Sequence, residues 1–175
     1  MKKLLSVVAV AIALTGCQSV SSPKTAVDAY LEALKKGDPQ QQQEFSCHKK
    51  EPPKSEEPLV NVQKWEIVDQ EPKTSDSDSD GNYQLVSVKV EAKTLGDFAV
   101  TRTWRFSVWK SDDFFESSKR FVDKWNRKGA DAIDSANRLG QSVGVKPVEK
   151  SKPVVVGRDE FSTKPYCILR LDSDS

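Results

Sequence analysis

The pattern of apolar and polar positions changes three times within the first sixty residues. Leu4 to Leu14 is an almost continuous apolar run of about eleven residues. From Ala26 the spacing becomes helical, with Val27, Tyr30, Leu31 and Leu34 falling on one side of a 3.6-residue turn. Ser22 and Pro23 stand ahead of it as an N-cap and a first helical residue, and Gly37 stands behind it as the residue that ends a helix. Asp38-Pro39 repeats the same start for a second, shorter helix through Gln40 to Phe45, whose glutamines 40 to 43 form a solvated face. Glu51 to Pro58 contains three prolines and mixed charge, which predicts a loop.

Beyond Leu59 the period drops to two. Val60 to Val68 has strand character. Tyr83 to Ala92 alternates Val86, Val88, Val90 and Ala92 against Ser87, Lys89 and Glu91. Val100 to Lys110 puts Trp104, Phe106 and Val108 on one face. One apolar and one polar face predict an antiparallel sheet covered on a single side, and the N-terminal helices are its natural cover. Ser111-Asp112-Asp113 opens another helix, with carboxylates where the macrodipole favours them. Phe114, Phe121, Val122 and Trp125 form its apolar stripe. Gly129 is expected to close it, and a further helix follows over about Ala130 to Leu139. Residues 140–151 read as irregular, Pro153 to Gly157 and Tyr166 to Leu171 as late strands, and Asp172 to Ser175 as a disordered tail. The fold class is therefore α+β, in a single domain over 23–171.

Composition narrows this picture. At 175 residues, with 37% apolar and 30% charged, the chain suffices for one core and is not polar enough to be disordered. A formal charge of +1 argues against nucleic acid as a partner. The charge is unevenly placed: between Lys119 and Arg170 stand 12 Lys/Arg against 6 Asp/Glu. This is a solvated face or, on a membrane-tethered domain, a contact for anionic headgroups or an acidic glycan.

The first segment has an address. Lys2 and Lys3 precede the apolar run, which is far short of the roughly twenty residues that span a bilayer but suits a secretory signal. Leu14-Thr15-Gly16-Cys17 follows and resembles the lipobox of bacterial lipoproteins. The resemblance implies that residues 1–16 are removed and that Cys17 is lipidated, with a diacylglyceryl group and an acyl chain holding the protein to a lipid bilayer. Gln18, instead of an aspartate, then implies the outer membrane more than the inner one. Residues 17–22 become a tether extending at most about 20 Å.

With Cys17 lipidated, Cys47 and Cys167 remain, an even pair in an exported protein and so a disulfide candidate. Two free thiols or a metal site are the alternatives, although ligands for a metal are lacking. His48 is the only histidine, and its place beside Cys47 is a poor geometry for a nucleophile and its base. Asp76, Asp78, Asp80 and Gly81 match the first half of a calcium loop, but Ser87 stands where the bidentate glutamate should be. An acidic turn between two strands is the plainer reading, with weak calcium binding as the alternative. Trp65, Trp104, Trp109 and Trp125 are core candidates that could also line a cavity.

Pro23-Lys24-Thr25-Ala26-Val27-Asp28-Ala29-Tyr30-Leu31-Glu32-Ala33-Leu34-Lys35-Lys36-Gly37-Asp38 resembles the first helix of nuclear-transport-factor-2-like (cystatin-like) domains, found in many small bacterial lipoproteins. The resemblance implies N-terminal helices packed on a curved sheet, a cone, with the stretch over 112–140 as an addition. Enzymes of that fold place an Asp/His or Tyr/Asp pair in the cone. The expectation is a non-enzymatic binding or scaffolding domain at the cell envelope, needing no cofactor and meeting an envelope protein or an anionic surface. A small-ligand binder or enzyme using the cone, and calcium-dependent adhesion, are the alternatives.

Overall fold

The computed structural model describes residues 20–55, 59–75, 81–93 and 98–173. Residues 1–16, Cys17 and the acidic trio Asp76, Asp78 and Asp80 lie outside them. The first helix, α1, spans Pro23–Lys36 and starts as its sequence dictates: the Ser22 hydroxyl accepts from the Thr25 amide at 3.2 Å, and Thr25 Oγ1 accepts from the Ser22 amide at 2.9 Å. Gly37 ends it at φ 65°, a left-handed conformation that any side chain would strain. The second, α2, spans Pro39–Glu44 and is capped by Asp38 Oδ1, which accepts from the Gln41 amide at 3.0 Å. No residue of α2 is buried, so its glutamines are a solvated face as expected.

Four strands follow, β1 (Val62–Thr74), β2 (Asn82–Lys93), β3 (Ala99–Lys110) and β4 (Tyr166–Ser173), forming one antiparallel sheet in the order β1-β2-β3-β4. The register sets Val86 opposite Phe106, Val88 opposite Trp104, and Phe106 opposite Leu171, so one face is apolar throughout. Ala26, Val27, Tyr30 and Leu31 of α1 complete the core on that face. Tyr30 meets Phe106 edge-on, with ring centroids 6.1 Å apart. Each fully buried aliphatic or aromatic side chain contributes about 1.5–3 kcal/mol, and this layer holds most of them.

Both sheet edges are managed. The outer edge of β4 is covered by the chain before β1: Cys47 donates its amide to the Ile168 carbonyl at 3.0 Å, and Leu171 donates to the Lys54 carbonyl at 2.9 Å. The open edge of β1 is broken by register shifts near Val62 and Ile67 and carries Pro72, features that discourage further strand pairing.

The α+β class and one-sided sheet hold. Several boundaries need correction. The third helix, α3, runs unbroken over Ser111–Ser142 instead of closing at Gly129. Gly129 does not adopt a positive φ and has no atom within 4 Å of where a Cβ would sit, so it simply rides in the exposed helix interior at a cost of about 1 kcal/mol. Gly144, at φ 76°, turns the chain instead. The expected stripe of α3 divides: Phe114 is buried, whereas Phe121 and Trp125 are 46% and 61% exposed. Pro153 to Gly157 joins no strand; the backbone of Val154 pairs instead with the Asn126 side chain of α3. β1 continues to Thr74 and β4 to Ser173, which pairs with Trp104, so Asp172 and Ser173 are not part of a loose tail.

Candidate functional site

Three regions offer chemistry: a cluster around the cysteines, a groove beside α1, and an arm built on α3. In the first, Cys47 and Cys167 form a disulfide, with an S–S distance of 2.10 Å. Both are fully buried, against Trp109, Phe114 and Phe161. Trp109 stacks on Tyr83 with centroids 5.3 Å apart, and Gly81 lies so close to the Trp109 ring that a methyl there would overlap it. The Trp109 Nε1 and Ser111 Oγ are buried without a hydrogen-bond partner among the described residues.

His48 follows Cys47 and lies against Phe114 and Phe161, at centroid distances of 5.3 and 5.2 Å. Burial holds its pKa below the ordinary value of 6.5; Lys54 pushes the same way, while Glu51 and Glu160 oppose. The neighbouring sulfur is committed to the disulfide and is no longer a thiolate nucleophile. Among the described residues no group of three or more His, Cys, Asp and Glu stands close enough to hold a metal ion.

The space between α1 and the sheet is filled by Val27, Leu31, Val88 and Phe106. What remains open is a groove of about 750 Å³ at its margin, lined by Tyr30, Leu34, Pro52, Lys54, Leu59 and Leu171 among others. Burial pushes the Tyr30 phenol up to about 12, so it stays protonated at any ordinary pH. Trp65 is not in that groove: its Nε1 donates to Asp28 Oδ1 at 3.0 Å and the Lys35 ammonium lies 5.7 Å from its ring. Trp104 and Trp109 are core residues, whereas Trp125 faces solvent.

The arm is the added helical stretch expected over 112–140, but its unbroken length and the strap along it were not expected. Only Ser111, Phe114 and Ser117 of α3 are buried, so its outer two-thirds stands clear of the sheet. After Gly144 the chain returns along the helix as an extended strap. Asn137 grips the strap at Val148, donating to the carbonyl at 3.0 Å and accepting from the amide at 2.6 Å. Asn126 does the same at Val154, at 2.7 and 3.0 Å. Lys150 adds an ion pair to Asp134 at 2.7 Å. Eleven residues are three helical turns, so the two asparagines share a face; that spacing was the signal available in the sequence.

Comparison of the chain with family models, curated proteins and solved structures returns no significant match. The fold and the geometry above are therefore what the function must be read from.

Proposed function

We propose that this chain is an exported, lipid-anchored protein of the bacterial envelope, held by acylated Cys17, whose domain binds or scaffolds a partner without catalysis. One observation carries the reading: a basic start, an apolar run of signal length and Leu14-Thr15-Gly16-Cys17 stand in the right order. The Cys47–Cys167 bridge supports it, since disulfides persist where the compartment is oxidising. Two or three acyl chains would anchor the domain for practical purposes permanently, at about 0.8 kcal/mol per buried methylene. Gln18 favours the outer membrane. The absence of catalysis is supported by His48, which packs on aromatic rings, and by Cys47, which is bridged.

The test is fractionation of the full chain beside Cys17→Ser. The native protein is expected with membranes and in the detergent phase, its N-terminal peptide carrying acyl mass. The variant is expected to lose both. A Cys17→Ser protein that still fractionates with membranes overturns the anchor.

Small-ligand binding is the second reading, and the groove beside Tyr30 is the observation behind it. It requires that a ligand raise the melting temperature and that Leu34→Trp, which fills the groove, abolish the shift.

A further inference from the structure

The arm has a surface that the lipid anchor alone does not explain. Phe121, Trp125, Ala132, Ala136, Leu139 and Val143 are all exposed, Leu139 and Val143 by 73% and 75%. At 100° per residue the five within α3 fall within about 40° either side of Trp125, a narrow apolar seam that begins one turn beyond Ser117, the last buried residue of the helix, with Val143 just past the helix end. The neighbouring face is closed by the strap at Asn126 and Asn137, and no described segment covers the seam.

Charge says what does. From Lys119 to Lys152 stand 9 Lys/Arg and 4 Asp/Glu, a net +5. Residues 18–118 and 153–175 together carry 16 basic and 22 acidic residues, a net −6. The molecule is thus a basic arm on an acidic body. Two copies of the arm would meet as like charges, which disfavours self-pairing along the seam. An anionic surface would attract the arm and repel the body. A seam with an indole and a phenyl ring, set among lysine and arginine stems that reach toward water, has the composition of a helix lying in a bilayer interface.

We propose that the α3 arm docks on anionic phospholipid, with Phe121, Trp125 and Leu139 in the headgroup boundary and Lys128, Lys146 and Lys152 on the lipid phosphates. This rests on the lipid-anchor reading for its setting: the acyl chains hold the domain at the membrane, and the arm fixes which way it faces.

The experiment uses an unlipidated chain beginning at Gln18. Among the described residues the buried core and the disulfide lie between Val20 and Leu171, a span this chain retains whole. The probe is a vesicle, either zwitterionic or enriched in an anionic phospholipid. Binding is expected only to the anionic vesicles, weakening as salt rises, with a blue shift of the emission of Trp125, the most exposed indole. Replacing Lys128, Lys146 and Lys152 by alanine should lower partitioning on the order of 100-fold, at about fivefold per lysine. Trp125→Ser should remove the blue shift while leaving the melting temperature unchanged. Equal binding to both vesicles, no binding to either, or indifference to the three lysines overturns the proposal. So does a dimer that forms without lipid and is lost in Trp125→Ser, because the seam then belongs to a second copy. The unlipidated chain keeps this outcome separate from the anchor: either can fail while the other stands.

Discussion

α1 and the outer part of α3 are both helices with an apolar face, yet one face is dry and the other wet. α1 lies across the sheet and hides Val27, Tyr30 and Leu31 completely or nearly so. α3 leaves from the end of β3 and continues past the sheet, so that only its first two turns are buried against the body. The difference is one of position, not of sequence character. An apolar stripe is an offer of contact, and what accepts it is decided by where the preceding strand ends. Cooperative stability should therefore reside in the body, while the arm opens by itself at a much lower cost.

The largest break in this contrast should come from the bridge. Cys47→Ala with Cys167→Ala removes a link across 120 residues, which loop-closure entropy puts at about 5 kcal/mol. Urea unfolding of native and double-variant protein should show it; a loss below 1 kcal/mol would mean that the buried aromatic cluster holds the two segments without help. Phe106→Ala, at the centre of the sheet and fully buried, should cost about 3–5 kcal/mol by the same measurement. Trp125→Ala, a larger truncation on the arm, should change stability by less than about 0.5 kcal/mol.

Proton linkage separates the two halves of the body. Tyr30 titrates near 12 in the fold against about 10 unfolded, so the unfolded chain ionises first as pH rises. Stability should fall from about pH 10 and level off beyond about 12, by roughly 2–3 kcal/mol. Tyr30→Phe should flatten that limb. His48 acts at the other end: its pKa lies below 6.5 in the fold, so the unfolded state takes up the proton first. Stability should decline as pH drops below about 6.5, and His48→Phe should remove that slope.

The smallest effect concerns the arm alone. Asn126→Ala and Asn137→Ala each delete a two-way grip on the strap. Global unfolding should move by no more than about 1 kcal/mol. Amide exchange at Val148 and Val154 should nevertheless accelerate, and unchanged exchange would mean the strap is held by something else.

The same distinction explains what could be read beforehand. Ser22, Pro23 and Gly37 mark α1 through local chemistry, and alternation in Val86 to Val90 and Trp104 to Val108 specifies a one-sided sheet; both needed only neighbours in sequence. Gly129 misled because its lack of a side chain is compatible with ending a helix or passing through one, and the flanking good helix formers decide. Pro153 to Gly157 has the composition of a strand, but the backbone of Val154 within it is held by the side-chain amide group of Asn126, far back in the chain. For the candidate site, the Cys47–Cys167 pair was legible from parity. The apolar seam was legible only as a stripe, since nothing local says that the sheet ends before Phe121.

The position of β4 has a consequence for biogenesis. It follows every other described element along the chain, yet it supplies Cys167, pairs with β3 along one edge and with the residues around Cys47 and Lys54 along the other. Until Tyr166 and its successors emerge, β3 has an open edge and Cys47 has no native partner. A nascent or truncated chain therefore waits with a bare strand and a lone thiol, which is the form that chaperones, proteases and disulfide-forming enzymes would meet first.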